Sequence, residues 1–371
     1  MKILYGIQGT GNGHISRARE MAKCFSDKAV EVDYVFSGRP AEQYFDMEPF
    51  GEYRSFRGLT FASSNGRLSY TRTALSNNIL RFANDVRALD TEPYDLILTD
   101  FEPLTAWAGK LRRRTVIGIG HQYAFGHAIP RAGDNFLSNL TMRLFAPAAV
   151  SLGLHWNDFE SPILPPIINT ELSHRFADES GLIDYDQATS IVVYLPFEDQ
   201  ARVQRELSAI KDQHFIIYSP ALQDEEKGNL SLRKTQHSGF KQDLRSSRAV
   251  ICNSGFELVS ECLQLGLAVL TKPQFAQTEQ LSNAAALEQL GYATTTNHIS
   301  SDVVRQWLRD LRHQPAMQYP DVAEAITGWI ISGRRQSPQQ LADLLWSQTR
   351  TLQSTTAKGS TVSLERQAHA Y

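Results

Sequence analysis

The residues best placed to do chemistry begin with a glycine-rich turn that ends in a histidine. Its members are Gly9, Thr10, Gly11, Asn12, Gly13 and His14. Glycines let a backbone turn tightly and bring its N–H groups close to a phosphate, and a helix that begins here favours an anion. The positive end of that helix disfavours imidazolium, so we expect His14 to be neutral and able to act as a general base. The alternative is a strand-to-helix turn in which the histidine only forms a structural hydrogen bond.

The same turn is also compatible with dinucleotide binding, although it departs from the usual fingerprint. That fingerprint needs G-x-G-x-x-G and an acidic residue at the end of the second strand. Here the spacing is G-x-G-x-G, and Asp33 lies inside the predicted second strand. Arg39 follows that strand and would suit a 2′-phosphate. The sequence therefore gives only weak support to a dinucleotide site, which remains an alternative.

Three more polar residues follow predicted strands in the first half of the chain. Asp100 follows one strand, and His121 and Gln122 follow the next, at 115–120. Open α/β sheets bind ligands at the carboxyl ends of their strands, so we expect these side chains to face the same crevice as His14. Each could be a second base, an orienter of His14 or an acceptor contact, and each is equally well explained as a turn residue.

In the second half of the chain, a strand, a Ser-Gly turn and a helix follow one another at 252–261. Ser254 and Glu257 have the spacing of a capping box, which gives Glu257 a structural explanation. Glu261 lies one turn further along the same helical face. A carboxylate there could accept hydrogen bonds from ribose hydroxyls, and a solvated helix charge is the alternative.

A third segment, 272–284, also follows a predicted strand and begins a helix. Gln280 and Asn283 are three residues apart and therefore share one helical face, where their amides could meet the hydroxyls of a sugar. The D-x-D triplet at 184–186 resembles a metal-binding motif, but it precedes a strand instead of following one. No metal site is predicted from it.

The elements that must position these residues alternate regularly. Apolar runs and amphipathic helical patterns follow one another, which predicts an α/β fold with doubly wound parallel sheets. The alternation stops at a proline-rich segment and then restarts. The predicted division is 1–160 for the first domain, 161–170 for a linker, 171–330 for the second domain, 331–351 for a helix at the domain junction and 352–371 for a mobile tail.

Composition excludes several classes of protein. The 371 residues include 37 Lys and Arg against 40 Asp and Glu, and a dedicated nucleic-acid binder would show a basic excess. No apolar run is long enough to span a bilayer. The three cysteines have no C-x-x-C spacing, which argues against a zinc or disulfide framework and favours a reducing, cytoplasmic compartment. No metal or cofactor is expected.

Taken together, the order of these motifs resembles that of glycosyltransferases with the GT-B fold. The closest resemblance is to the peptidoglycan N-acetylglucosaminyltransferase family, glycosyltransferase family 28. The glycine turn with His14 is similar to the N-terminal signature of that family. The C-terminal signature resembles Ser254, Gly255, Val259, Ser260, Glu261, Pro273, Gln280, Asn283 and Ala284. The resemblance implies two Rossmann-like domains that face each other across a cleft.

By this resemblance, the second domain binds the donor, a nucleotide diphosphate-sugar with UDP as the favoured nucleotide. Ser254, Gly255 and the helix start would take the diphosphate. Glu261 would take the ribose hydroxyls, and Gln280 and Asn283 would face the sugar. Such enzymes need no metal, because helix dipoles and N–H groups stabilise the departing diphosphate.

The resemblance also implies that the first domain binds the acceptor. The glycine turn, His121 and Gln122 would contact acceptor or phosphate groups, and His14, with Asp100 near it, would be the base. One departure is that the family has a glycine-rich loop after the first strand of its second domain, whereas this sequence has Tyr-Leu-Pro-Phe-Glu at 194–198. We therefore expect a different acceptor. A lipid-linked acceptor and peripheral contact with the inner face of the cell membrane both stay open.

The predicted activity is a metal-independent transfer of a hexose to an acceptor hydroxyl, for a cell-envelope polysaccharide. Three alternatives remain. The motif G-x-G-H-x-x-R at 11–17 also resembles nucleotide-sugar hydrolases, in which His14 would activate water. A sugar 2-epimerase of the same fold is the second alternative. A non-catalytic nucleotide-sugar-binding protein is the third.

Overall fold

The structure is a computed structural model and describes residues 1–59, 63–64, 67–68, 78–133, 142, 144–177, 184–185, 187–235, 237–312 and 315–352. The predicted mobile tail lies outside the described residues from 353 onward. The D-x-D triplet is only partly described, because residue 186 is outside these ranges.

The first domain is built on a parallel sheet of seven strands. The strands are β1 (Lys2–Gln8), β2 (Glu31–Ser37), β3 (Tyr53–Phe56), β6 (Leu96–Asp100), β7 (Val116–Gly120), β8 (Val150–Leu154) and β9 (Ile163–Leu164), and a separate hairpin contains β4 (Ser63–Ser64) and β5 (Arg67–Leu68). The order across the sheet is β3-β2-β1-β6-β7-β8-β9. Its helices are α1 (Asn12–Ser26), α2 (Ile79–Ala88), α3 (Pro103–Leu111) and α4 (His121–Ala124).

Helices cover both faces of this sheet, which is why its strands are nearly continuous apolar runs. Successive side chains of β1 point to opposite faces. Tyr5 therefore packs into the apolar cluster that contains Ile15 of α1, whereas Leu4 packs into the cluster that contains Leu104 of α3. Both sides of the strand are buried, and neither needs a polar residue.

The second domain repeats this arrangement. Its strands are β10 (Ser190–Tyr194), β11 (His214–Ser219), β12 (Glu225–Lys227), β13 (Leu230–Lys234), β14 (Ala249–Asn253), β15 (Ala268–Lys272) and β16 (Thr294–Thr295). The order is β12-β13-β11-β10-β14-β15-β16, and only β12 is antiparallel to its neighbour. Its helices are α5 (Gln200–Ser208), α6 (His237–Ser246), α7 (Phe256–Gln264), α8 (Thr278–Leu290) and α9 (Ser301–Arg309).

In each sheet the direction of winding changes beside one central strand. Strand β1 lies between β2 and β6, and β10 lies between β11 and β14. Ligands of open α/β sheets bind at the carboxyl ends of the strands at such points. The predicted fold class is therefore confirmed, and the segments that follow β1, β6, β10 and β14 are the expected site.

The junction between the domains differs in detail from the predicted linker. Strand β9, inside the segment predicted as linker, pairs with β8 at the edge of the first sheet. Helices α10 (Val322–Ile331) and α11 (Pro338–Gln348) then return to the first domain. The strands on either side of them, β17 (Met317–Gln318) and β18 (Arg350–Thr351), pair antiparallel. Trp346 of α11 donates to the carbonyl of Ile163 at 2.7 Å. The C-terminal helices thus cover the first domain.

Among the described residues, two of the three buried histidines accept a backbone N–H, and they make the stability of the fold depend on pH. His155 and His174 are 1% and 4% exposed. In each, Nδ1 accepts a backbone N–H, from Trp156 at 2.8 Å and from Phe176 at 3.3 Å, which requires an unprotonated nitrogen. Burial lowers the pKa of both imidazoles. Both therefore stay neutral in the folded chain.

We expect acid to destabilise the protein through these two side chains. Below about pH 6.5 the unfolded chain protonates them and the folded chain does not, so the free energy of unfolding falls by up to about 1.4 kcal/mol per pH unit for each histidine. Urea titrations between pH 7 and pH 5 should show this slope, and His155→Phe should reduce it. The exposed His298 provides the control, because His298→Gln should leave the slope unchanged. A slope that His155→Phe does not alter would contradict the assignment.

Candidate active site

The centre of the site is a buried ion cluster formed by His14, Arg17 and Asp100. Asp100 is the last residue of β6, which pairs with β1, and α1 begins just after β1, so the strand order brings the three together. His14 Nδ1 lies 2.6 Å from Asp100 Oδ1. Arg17 donates to the same carboxylate from Nε at 2.8 Å and from Nη2 at 2.6 Å.

The charge on Asp100 fixes the hydrogen-bonding state of the histidine. Burial alone would raise the pKa of this fully buried carboxyl group, but Arg17 and His14 outweigh the burial and the pKa is lowered. An ionised carboxylate 2.6 Å away can only accept, so Nδ1 of His14 carries the proton and donates it. Nη2 of Arg17 lies 3.0 Å from the same Nδ1, but it can only donate, and its closer acceptor is Asp100 at 2.6 Å. Nε2 is then free to accept a proton, and the side chain remains 14% exposed. This is the arrangement that a general base needs.

The same cluster extends across the domain boundary. Arg17 also pairs with Glu257, the second residue of α7 in the other domain. The side chain of Glu257 lies against Gly13, where an added Cβ would collide with it. A side chain at position 13 would displace the Glu257 carboxylate from Arg17, and the N-termini of α1 and α7 face each other.

The predicted capping box at the start of α7 is wrong. The helix is capped at Gly255, without a side-chain hydrogen bond, so Glu257 lies at the second helical position. A capping box needs the acidic side chain at the third position, from which it bonds to the backbone N–H of the N-cap residue. The hydroxyl of Ser254 instead bonds to Oγ1 of Thr271 at 2.8 Å. Glu257 is free for the pairing with Arg17, a role that no local sequence pattern indicates.

The structure brings His121 and Asn283 together in a contact between the domains. His121 Nε2 lies 2.6 Å from Oδ1 of Asn283, and Asn283 Nδ2 donates to the carbonyl of Ser254 at 2.9 Å. The His121 ring stacks on Phe256 with ring centres 4.1 Å apart. Trp156 adds a hydrogen bond to Ser260 at 2.8 Å. This part of the interface is closed, and its buried polar groups are hydrogen-bonded across it.

The remaining predicted contacts lie around this closed region. Gln280 is buried, and its side-chain oxygen accepts the backbone N–H of Gln274 at 2.8 Å. Gln122 donates to Glu279 at 3.2 Å. The amides of Gln280 and Asn283 therefore bond to protein in this structure, and their contact with a sugar stays a prediction.

Beside the closed region, an open cleft runs between α1 and α7. Part of it is a cavity of about 510 Å³, and the neighbouring part has an aromatic wall. Glu261 lines both parts and pairs with Lys241, and its contact with a ligand stays a prediction. The wall contains Tyr194 and Phe240, whose ring centres lie 5.5 Å apart. Sequence analysis missed Phe240 and Lys241, because α6 carries no motif.

Within the described ranges, no group of three or more His, Cys, Asp or Glu side chains is placed to hold a metal ion. The same ranges contain no helix that is both long and apolar enough to cross a membrane.

Comparisons with known proteins agree with this fold. The family model described as "Glycosyl transferase family 1" matches residues 1–312. An "Uncharacterized glycosyltransferase" of Methanosarcina acetivorans is 24% identical over 344 residues, which cover 84% of this chain and 88% of the relative. The crystal structure of Acinetobacter baumannii MurG is 15% identical, with a TM-score of 0.53, over 93% of this chain and 99% of that one. The spinosyn rhamnosyltransferase SpnG complexed with thymidine diphosphate is 14% identical, with a TM-score of 0.53, over 93% of this chain and 100% of that one.

Proposed function

This chain belongs to glycosyl transferase family 1, and we propose that it moves a hexosyl group from a nucleotide diphosphate-sugar to an acceptor hydroxyl with His14 as the base. The observation that carries the proposal is the buried cluster of His14, Asp100 and Arg17 at the carboxyl edge of the first sheet, facing the start of α7. The finer assignment to the peptidoglycan family stays a prediction, because the likeness to MurG is a likeness of fold.

In the proposed reaction, Nε2 of His14 accepts the proton of the acceptor hydroxyl as its oxygen attacks the anomeric carbon. The bond from that carbon to the diphosphate breaks, and the nucleoside diphosphate leaves with the electron pair. Asp100 stabilises the imidazolium that forms. Arg17 holds the carboxylate in place through two hydrogen bonds and is a positioning residue.

The leaving group in this proposal is stabilised by backbone groups. No side chain caps α7, so its first N–H groups are available to an anion. The space in front of Gly255 is empty, since an added Cβ there would have no neighbour within 4 Å. Both observations support a diphosphate site at the start of α7 that needs no metal. The thymidine diphosphate in the SpnG structure supports the same class of donor.

Glu261 is proposed to hold the ribose of the donor. It lies on α7, one to two turns from the proposed diphosphate site, and lines the aromatic part of the cleft. We expect Glu261→Gln to weaken binding of the nucleoside diphosphate by about 5- to 150-fold, since losing a hydrogen bond to a charged group costs about 1–3 kcal/mol.

Calorimetric titration with UDP, TDP and GDP measures this effect and identifies the nucleobase that the protein prefers. Glu20 provides a matched control, because it lines the same cavity from the first domain and pairs with Lys23. Glu20→Gln should leave the affinity unchanged. An unchanged dissociation constant in Glu261→Gln would remove Glu261 from the donor site.

The activity itself is tested by release of nucleoside diphosphate that depends on an acceptor. Cleavage of the donor without acceptor, to nucleoside monophosphate and sugar phosphate, would indicate the hydrolase instead. Arg17, the last residue of the hydrolase-like motif, is 1% exposed and occupied by two carboxylates. It is therefore not free to contact a nucleotide sugar, which favours the transferase.

A further inference from the structure

Arg39 is a half-buried cation that follows strand β2 and has no carboxylate partner among the described residues. Its Nη1 donates to Oδ1 of Asn12 at 3.1 Å. Its Nε and Nη2 are buried, and within the described ranges neither has a polar partner within 3.5 Å. Burial lowers the pKa of Arg39, and the hydroxyl of Tyr44, through its charge and a longer hydrogen-bond contact, opposes this effect together with Tyr194. The guanidinium thus carries a charge that no carboxylate among the described residues balances.

The two buried arginines near this edge have complete sets of partners, which makes the half-buried Arg39 an exception. Arg17 pairs with Asp100 and Glu257. Arg19 donates to two backbone carbonyls, those of Asp46 at 3.0 Å and Phe45 at 2.7 Å. Buried charges in proteins are normally paired and hydrogen-bonded. A guanidinium in such a position without a carboxylate partner therefore favours an anionic ligand.

Further polar groups lie beside it in the glycine turn. The guanidinium carbon of Arg39 is 4.7 Å from the centre of the Tyr44 ring. Tyr44 is 9% exposed, and its hydroxyl is buried beside the side chain and the backbone of Arg39. That hydroxyl lies against Gly9, where a Cβ would collide with it. Helix α1 begins next to this point, capped at Gly11 without a side-chain hydrogen bond. Guanidinium, phenol and backbone N–H groups therefore converge.

We propose that these groups form an anion site and that Arg39 anchors a phosphate or carboxylate group of the acceptor. The assignment of this anion to the acceptor rests on the proposed function, in which the first domain binds the molecule that is glycosylated. The position fits, because Asn12, which Arg39 contacts, lines the open cleft two residues before His14. An acceptor held here by its anionic group would present a neighbouring hydroxyl to the base.

The anion site is tested without any knowledge of the substrate. Inorganic phosphate, methyl phosphate and acetate are added to the full chain at constant ionic strength, and the thermal unfolding midpoint is followed. We expect at least one of them to raise the midpoint, and Arg39→Gln to weaken the fitted affinity by about tenfold or more, because a charge-assisted hydrogen bond is lost. The comparison of the three anions separates free phosphate, a phosphate ester and a carboxylate.

Arg57 supplies the matched control, since it is exposed after β3 in the same domain and Arg57→Gln removes the same charge. Equal responses of the wild type and Arg39→Gln, or a loss in Arg57→Gln as large as in Arg39→Gln, would overturn the site. Arg39→Lys should recover part of the affinity, because the charge is kept but the paired donors are not.

Kinetics then separate this inference from the proposed function. With an active donor and acceptor, Arg39→Gln should raise KM for the acceptor by about tenfold or more and leave KM for the donor unchanged. A rise in KM for the donor instead would assign the anion site to the donor diphosphate and refute the acceptor role. If no donor turns over but phosphate binding depends on Arg39, the proposed function fails and the anion site stands.

Discussion

Replacement of His14 by alanine is expected to lower the rate of glycosyl transfer by about 10²- to 10⁴-fold, the usual contribution of a general base. The imidazole is removed, while the helix N-termini and Glu261 that are proposed to bind the donor remain. Affinity for the nucleoside diphosphate should therefore stay within twofold of the wild type. Steady-state kinetics and calorimetric titration of the same preparations measure the two quantities.

His298→Ala is the matched control for this experiment, because His298 is exposed and distant from the cluster in the sequence. It should leave both rate and affinity unchanged. A His14→Ala variant with wild-type turnover would remove His14 as the base and would favour a binding protein or another catalytic residue. Loss of donor binding together with turnover would instead give His14 a structural role.

The second large effect concerns the buried charges of Arg17 and Asp100. We expect Arg17→Met to lower the free energy of unfolding by about 3–5 kcal/mol, because it leaves the fully buried carboxylate of Asp100 with only His14 as a partner. The methionine fills much of the volume, so the loss is mainly electrostatic. Urea denaturation measures it. Lys23→Met, on the exposed side of the same helix, should change the free energy by less than about 0.5 kcal/mol.

A double-mutant cycle distinguishes this explanation from a loss of packing. Asp100→Asn alone should destabilise the protein, since Arg17 then retains only Glu257. In the Arg17→Met background the same change should recover stability, because no buried charge remains unpaired. Additive effects of the two single substitutions would show that the side chains are not energetically coupled, which would contradict the assignment of a buried ion cluster.

Much of the fold follows from the sequence because apolar runs and helical periodicity are local properties. The proximity of His14 and Asp100 also follows, from the rule that the carboxyl ends of neighbouring parallel strands meet at one edge of a sheet. The strand β9 was missed for a local reason. Pro162 and Pro165 flank Ile163–Leu164 and resemble a linker, yet proline is tolerated beside a short strand at the edge of a sheet.

The contacts between the domains could not be predicted from the sequence. Arg17 and Glu257 are 240 residues apart, and His121 and Asn283 are 162 residues apart. The sequence predicts each domain separately, and these pairs form only because the two domains meet in one orientation. The same is true of Glu257, whose local pattern predicted a capping box. Local patterns therefore predict the turns and the helix starts. They do not predict which polar side chains bond to the other domain.

The most direct test of the proposed function is the analysis of products formed from a panel of nucleotide diphosphate-sugars. The full chain and its His14→Ala variant are incubated with each donor, with and without a cell lipid extract, and the products are identified by mass spectrometry. The proposal predicts nucleoside diphosphate and an acceptor heavier by one hexosyl group, formed by the wild type only in the presence of an acceptor and nearly absent with the variant. Acceptor-free cleavage to nucleoside monophosphate and sugar phosphate, or equal product from His14→Ala, would contradict it.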